Sequence, residues 1–189
     1  FVTFHAPHAP IEAPEAYLSM DADVADTTTR DYYGSVSLVD HEVGRLLAVL
    51  DARGLRERTL VLFASDNGPE GLRRYPNAVH SHGSAGPLRG MKLSMYEGGL
   101  RVPGVIRWPG RVKAGSECAA PVVFYDILPT LCAVAGVAPP PGVTLDGVNV
   151  LPVLEGRPVG RPVPLHWQSD NAQAGLCAGR AGPRPGETR

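Results

Sequence analysis

The chain has 189 residues, with 18 Lys plus Arg against 19 Asp plus Glu and a formal net charge of −1. That balance leaves no basic surface for nucleic acid and no acidic tail. Cys118, Cys132 and Cys177, in a sequence without CxxC, make neither a disulfide framework nor a zinc motif, and no apolar run is long enough for a membrane helix, so neither nucleic acid nor membrane is an expected partner.

Phe1-Val2-Thr3-Phe4 is apolar and reads as a buried strand entered midway, without an initiator Met; the expectation is that the natural N-terminus lies upstream. His5-Ala6-Pro7-His8-Ala9-Pro10 follows as a rigid loop at the strand end, because Pro cannot donate to a ladder. Residues 30–53 read as a helix: Val36, Val39, Val43, Leu46 and Leu50 form one apolar stripe. Asp26 or one of Thr27 to Thr29 is placed to cap it, and Gly54 stands where the chain must turn left-handed. Gly34 and Gly44 lower helix propensity and offer close packing in exchange.

Residues 59–64, Thr-Leu-Val-Leu-Phe-Ala, are apolar on both faces, as central parallel strands are. With the first strand and the helix they predict a βαβ unit. Ser65-Asp66-Asn67-Gly68-Pro69 ends the strand, and a polar loop with Gly and His runs to Met91. Val102 to Trp108 reads as a further strand, and Ile127 to Ala135 as a short helix stopped by Gly136. From about Asn171 the composition turns to Gly, Ala, Arg and Pro without periodicity, predicting a poorly ordered or aberrant tail over 169–189.

Ligands in open α/β sheets gather beyond the carboxyl ends of strands, so His5 and His8 after one strand and Asp66 and Asn67 after the next are expected on one rim. Asp66 and Asn67 offer a carboxylate and an amide carbonyl, hard oxygen donors suited to Ca²⁺ or Mg²⁺. Asp-Asn-Gly-Pro is also good turn chemistry in its own right. Lys92, on a glycine-flanked loop, can reach an anion as a mobile point charge, or be an ordinary solvated lysine. His80 and His82 precede it in the loop, His41 reads as a surface residue, Cys132 as core, Asp40 and Asp126 as helix and capping residues, and Arg101 as an ion-pair partner of Glu97.

Taken together, several motifs occur in a fixed order: the first-strand His-x-Pro-His, Val39-Asp40-His41-Glu42-Val43-Gly44, Phe63-Ala64-Ser65-Asp66-Asn67-Gly68 and Gly86-Pro87-Leu88-Arg89-Gly90-x-Lys92. Tyr96-Glu97-Gly98-Gly99-x-Arg101-Val102-Pro103, Trp108-Pro109-Gly110, Asp126-Ile127-Leu128-Pro129-Thr130 and Asp146-Gly147 complete the set. Over roughly residues 1–168 this resembles the sulfatase family, in particular members similar to arylsulfatase A and N-acetylgalactosamine-6-sulfatase.

The resemblance implies an α/β fold, an alkaline-phosphatase-like layered sandwich on a mainly parallel sheet, incomplete on its N-terminal side, with 1–168 as the C-terminal part of the catalytic domain. It implies a sulfuric ester hydrolase acting on a small-molecule or carbohydrate sulfate ester, in a periplasmic or secreted setting. Asp66 and Asn67 match the family's late pair of calcium ligands, Lys92 a lysine that binds the sulfate, and His8 a histidine that contacts it and protonates the leaving alcohol. The family's formylglycine nucleophile arises in Cys/Ser-x-Pro-x-Arg, and none of the three cysteines has that context. The isolated chain is therefore expected to be inactive. Two alternatives stand beside this reading: a phosphoester or phosphonate hydrolase of the same superfamily, and a non-catalytic remnant.

Overall fold

A computed structural model describes residues 1–71, 81–168 and 174–177. The chain is of mixed helix and strand character and divides into two compact units, one over Phe1–Ile106 and one containing Arg107–Gln168 and the strand at 174–177.

In the first unit a short helix α1 (Glu15–Leu18) precedes the long helix α2 (Thr27–Ala52). Asp26 is the N-cap, its carboxylate accepting from the Thr29 amide at 2.9 Å, which satisfies one of the amides that a helix start leaves without a partner. At the other end Gly54 takes φ 64°, and the Gly54 and Leu55 amides close on the Asp51 and Leu50 carbonyls, the paired bonds of a Schellman stop. The expected apolar stripe is not the buried face: Val36 and Leu46 are exposed, while Gly34 and Ser35 are buried. A Cβ on Gly34 would stand 3.0 Å from side-chain carbons of Ala13 and Leu18, so the glycine is what lets α1 approach, as its packing role anticipated.

Strand β1 (Val61–Ala64) forms as expected and pairs with β2 (Gly104–Arg107) in a two-stranded sheet. Two expectations fail here. Phe1–Phe4 is not a strand, so the βαβ unit is not completed: Phe1, Val2 and Phe4 are exposed, and no described strand offers them a ladder, without which extended backbone gains no pairing. Nor is β1 covered on both faces, since Leu62 and Phe63 remain 44% and 41% exposed in a sheet of only two strands. Helix α3 (Glu97–Leu100) lies just before β2.

In the second unit, α4 (Ile127–Ala135) has the expected bounds and ends on Gly136 at φ 68°. It is followed by α5 (Leu151–Leu154) and by β3 (Leu165–Gln168), which pairs antiparallel with β4 (Ala174–Cys177), Leu165 opposite Cys177. Ala174–Cys177 is thus a strand within the stretch whose composition predicts a tail; its remaining residues lie outside those described. Cys132, Val150, Val153 and Leu165 form the apolar core. At its centre is Asp126, fully buried: its carboxylate accepts from the Val123 and Val148 amides, both at 2.9 Å, and from Arg161, bidentate. The Thr130 hydroxyl donates to the Asp126 carbonyl at 2.7 Å and accepts from the Val150 amide at 3.0 Å. A Cβ on Gly147 would lie 2.0 Å from the Tyr125 carbonyl oxygen. The Asp-Ile-Leu-Pro-Thr and Asp-Gly motifs are therefore one structural lock, with Asp126 in the non-ligand role read from the sequence.

Candidate functional site

The strand β1 delivers its next residues into a knot of backbone held by glycines. The Gly68 amide donates to the Gly99 carbonyl at 2.9 Å, and the Gly98 amide to the Arg89 carbonyl at 2.7 Å. A Cβ on Gly68 would fall 1.9 Å from the Gly98 oxygen; one on Gly98, 2.3 Å from the Gly90 oxygen; one on Gly99, 2.3 Å from the Ser94 oxygen. No side chain fits at these three crossings. The Asp-Asn-Gly, Arg-Gly-x-Lys and Glu-Gly-Gly motifs are, in this sense, three sides of one interlock.

Lys92 is seated in it. Its amide donates to the Pro69 carbonyl at 2.8 Å, which ties it three residues beyond Asp66. It occupies a corner of a tight turn: the Ser94 amide and hydroxyl both donate to the Met91 carbonyl, at 2.9 and 2.7 Å, and the Met91 amide donates back to the Ser94 hydroxyl at 3.0 Å. The next residue, Leu93, has φ 71°, the left-handed region that costs a non-glycine residue roughly 1–2 kcal/mol. Strain of this kind persists where surrounding bonds over-determine the backbone, and here it fixes the path on which Lys92 is carried. Arg89 stacks on Tyr96 with its guanidinium carbon 3.9 Å from the ring centre, closing the same loop.

Asp66 is exposed and Asn67 half-buried. The Asn67 amide nitrogen donates to the Gly68 carbonyl at 2.9 Å, which leaves Oδ1 outside that bond. One carboxylate and one amide oxygen fit a hard cation in type, though Ca²⁺ takes about six to eight oxygens. Among the described residues no cluster of three or more His, Cys, Asp or Glu gathers to hold a metal.

His8 is exposed, and its contacts are local. Its amide donates to the His5 carbonyl at 2.9 Å, its ring lies 5.2 Å from that of His5, and its Nδ1 meets the Ala9 carbonyl at 2.9 Å. A carbonyl only accepts, so Nδ1 carries the proton and Nε2 is the nitrogen that can take or give one. The His5 Nε2 donates to the same oxygen at 3.1 Å. The structure thus brings the Asp66–Asn67 turn and the Lys92 turn together by backbone bonds, whereas the contacts of His8 among the described residues are with His5 and Ala9.

Of the other histidines, His41 stands edge-on to Tyr17 on an exposed part of α2, and His80 lies outside the described residues. His82 faces away from open solvent toward the start of α2, with Nε2 2.8 Å from the Thr28 hydroxyl and Nδ1 3.3 Å from that of Thr29. The sequence places it in the loop before Lys92 as either a substrate-facing residue or an idle surface histidine; the signal for its partners is the run Asp26-Thr27-Thr28-Thr29, rich in hydroxyls beyond what one cap uses. Arg101 pairs with Glu97 at 3.5 Å as expected.

The family model described as Sulfatase matches residues 1–137. Steryl-sulfatase of Rattus norvegicus is 40% identical over 126 residues, 67% of this chain and 22% of that protein. N-acetylgalactosamine-6-sulfatase of Homo sapiens is 34% identical over 171 residues, 89% of this chain and 30% of that protein. Among solved structures, Ps i-CgsB in complex with k-i-k-neocarrahexaose superposes with a TM-score of 0.74 at 32% identity, over 85% of this chain and 34% of that one. The chain spans less than a third of the length of these curated relatives.

Proposed function

The chain belongs to the sulfatase family, and from that premise we propose that it contributes the Lys92, His8, Asp66 and Asn67 part of a site that hydrolyses sulfate esters. The observation that carries the reading is the glycine interlock, which seats Lys92 on the carbonyl of Pro69, next to the Asp66–Asn67 turn. Cleaving a sulfate ester builds negative charge on the ester oxygen. Lys92 neutralises part of it as a point charge, and His8, held by Nδ1, presents Nε2 to protonate the departing alcohol. Asp66 and Asn67 would hold Ca²⁺ as two of its ligands, and the ion would supply further charge stabilisation at the sulfate group. The nucleophile, a formylglycine by family, belongs to the part of the domain outside these residues.

In the complete domain the fold is proposed to be the alkaline-phosphatase-like layered sandwich on a mainly parallel sheet, in which β1 becomes an inner strand. The substrate class is a small-molecule or carbohydrate sulfate ester, in line with relatives named for steryl sulfate and for 6-sulfated N-acetylgalactosamine. A periplasmic or secreted setting goes with that class. A metal, a lysine and a histidine would serve a phosphoester equally well, so the test is competitive: the chain combined with a nucleophile-bearing N-terminal half, assayed on matched aryl sulfate and aryl phosphate. Preference for the sulfate supports the reading; preference for the phosphate replaces it.

A further inference from the structure

Apart from the Asp126 lock, the described residues contain a side-chain network that neither the proposed chemistry nor the glycine interlock uses. It lies where residues 81–83 meet the start of α2. Asp26 accepts through one carboxylate oxygen from the Thr28 hydroxyl at 2.8 Å, from the Thr29 hydroxyl, and from the Thr29 amide at 2.9 Å. Each threonine hydroxyl has one proton, and both protons are spent on Asp26. The same two oxygens face the two ring nitrogens of His82, at 2.8 Å for Nε2 and 3.3 Å for Nδ1. Oxygens whose protons point elsewhere can only accept. Every bond in the set is therefore made when both nitrogens of His82 carry protons, with the Asp26 carboxylate 3.8 Å from Nε2 as the counter-charge. A neutral ring has one bare nitrogen, and one hydroxyl must then leave Asp26 to serve it.

The segment that His82 anchors leads to Lys92. Next to it, the Ser81 hydroxyl donates to the Glu70 carbonyl at 2.6 Å, and Gly83 packs on Pro69 and on the Tyr32 hydroxyl, where a Cβ would come within 2.6 and 2.9 Å. Pro69 is the residue whose carbonyl takes the Lys92 amide. Among the described residues, the titratable groups around His82 are Asp26 at the cap of α2 and Tyr32 within it, the Tyr32 ring edge-on at 6.3 Å, with buried Glu70 on the adjoining segment. The bonds from Thr29 and then Thr28 hold the Asp26 carboxyl down to about 2, and burial pushes the Tyr32 phenol up. At neutral pH Asp26 is thus charged and Tyr32 is not.

We infer that His82 is a positioning residue: in its doubly protonated form it clasps the 81–83 segment to the cap of α2, and through Pro69 it fixes the turn that carries Lys92. The functional weight of this rests on the reading of Lys92 as the sulfate-binding lysine, but the clasp itself is measurable without turnover. The experiment is amide hydrogen exchange on the full chain at pH 5.5 and pH 8, with ¹⁵N spectra of the histidine rings at the same two values. Protection factors of the Lys92 and Gly68 amides are followed, with Val148 and Val150 of the other unit as internal controls. In the wild type, Lys92 protection is expected to be about tenfold higher where the ring spectra show His82 doubly protonated than where they show it neutral, the worth of one charge-assisted bond. His82→Gln, and separately Thr28→Val with Thr29→Val, should give the low protection at both pH values with the controls unchanged. Equal Lys92 protection at both pH values in the wild type, or a His82 ring that is neutral at pH 5.5, would overturn the clasp. Failure of the sulfatase reading would show elsewhere, as turnover indifferent to Lys92, and would leave these exchange results standing.

Discussion

Asp126→Ala removes the centre of the lock in the second unit. Asp126 is 0% exposed and the side chain of Arg161 only 5%. Truncation leaves the guanidinium buried with a single neutral acceptor, the Pro121 carbonyl at 3.1 Å, and strips the Val123 and Val148 amides of their partner. Breaking a buried pair by deleting one member costs about 3–5 kcal/mol, and an orphaned buried amide about 1–3 kcal/mol. These costs overlap, so about 4–5 kcal/mol is expected, a large part of the roughly 5–15 kcal/mol that holds a domain folded. The assay is urea unfolding followed by tryptophan fluorescence, because Trp108 and Trp167, the only tryptophans, both lie in this unit. The double variant Asp126→Ala, Arg161→Met should recover part of the loss, since the uncompensated charge goes with the arginine. A loss below about 1 kcal/mol for the single variant, or a double variant worse than the single, would refute the reasoning.

Two glycines give opposite outcomes on one substitution. Gly68→Ala should destabilise the first unit by more than about 2 kcal/mol, because its Cβ collides with backbone, whereas Gly44→Ala, inside α2 with open space around it, should stabilise by about 0.5–1 kcal/mol; calorimetry on both variants checks this. The Asp26 carboxyl is lowered from 3.8 to about 2 by the Thr29 and Thr28 bonds, so its stabilisation is complete above pH 3.8 and lost as pH falls through about 2. Asp26→Asn should accordingly show a smaller drop in urea midpoint between pH 5 and pH 2 than the wild type. Calcium should bind the isolated chain weakly, since Asp66 and Asn67 supply only part of the roughly six to eight oxygens the ion takes; calorimetric binding at micromolar strength that Asp66→Ala abolishes would contradict this.

How far the sequence could be read depends on what each signal is made of. Helices carry their instructions locally, and so Gly54 and Gly136 mark C-terminal ends where the structure has them, while the cap of α2, open in the sequence among Asp26 and Thr27 to Thr29, falls on Asp26 and starts the helix at Thr27 rather than at residue 30. The strand at Phe1–Phe4 failed because a strand needs a neighbour, and apolar composition does not say whether one is present. The stripe on α2 misled for the same reason: periodicity names an apolar face, not its cover, and the buried contact fell on Gly34 and Ser35. In the site, the glycines are legible in the sequence only as members of motifs; their reason, backbone crossing at distances no Cβ tolerates, is a three-dimensional fact. The bonds from Ser94 that shape the Lys92 turn and the pairing of His82 with Thr28 and Thr29 carry no motif, since hydroxyls in loops are common and only coordinates say which ones meet.

The central claim is that Lys92, set on the Pro69 carbonyl beside the Asp66–Asn67 turn, acts on a sulfate ester. The most direct measurement is aryl sulfate turnover by this chain combined with an N-terminal half whose nucleophile is already converted, comparing wild type with Lys92→Ala in the presence of calcium. The account predicts measurable turnover for the wild type, none for the chain by itself, and a fall in kcat of about 10²–10³-fold for Lys92→Ala, the scale of one lost donor to a developing oxyanion. Turnover that Lys92→Ala leaves unchanged would contradict it.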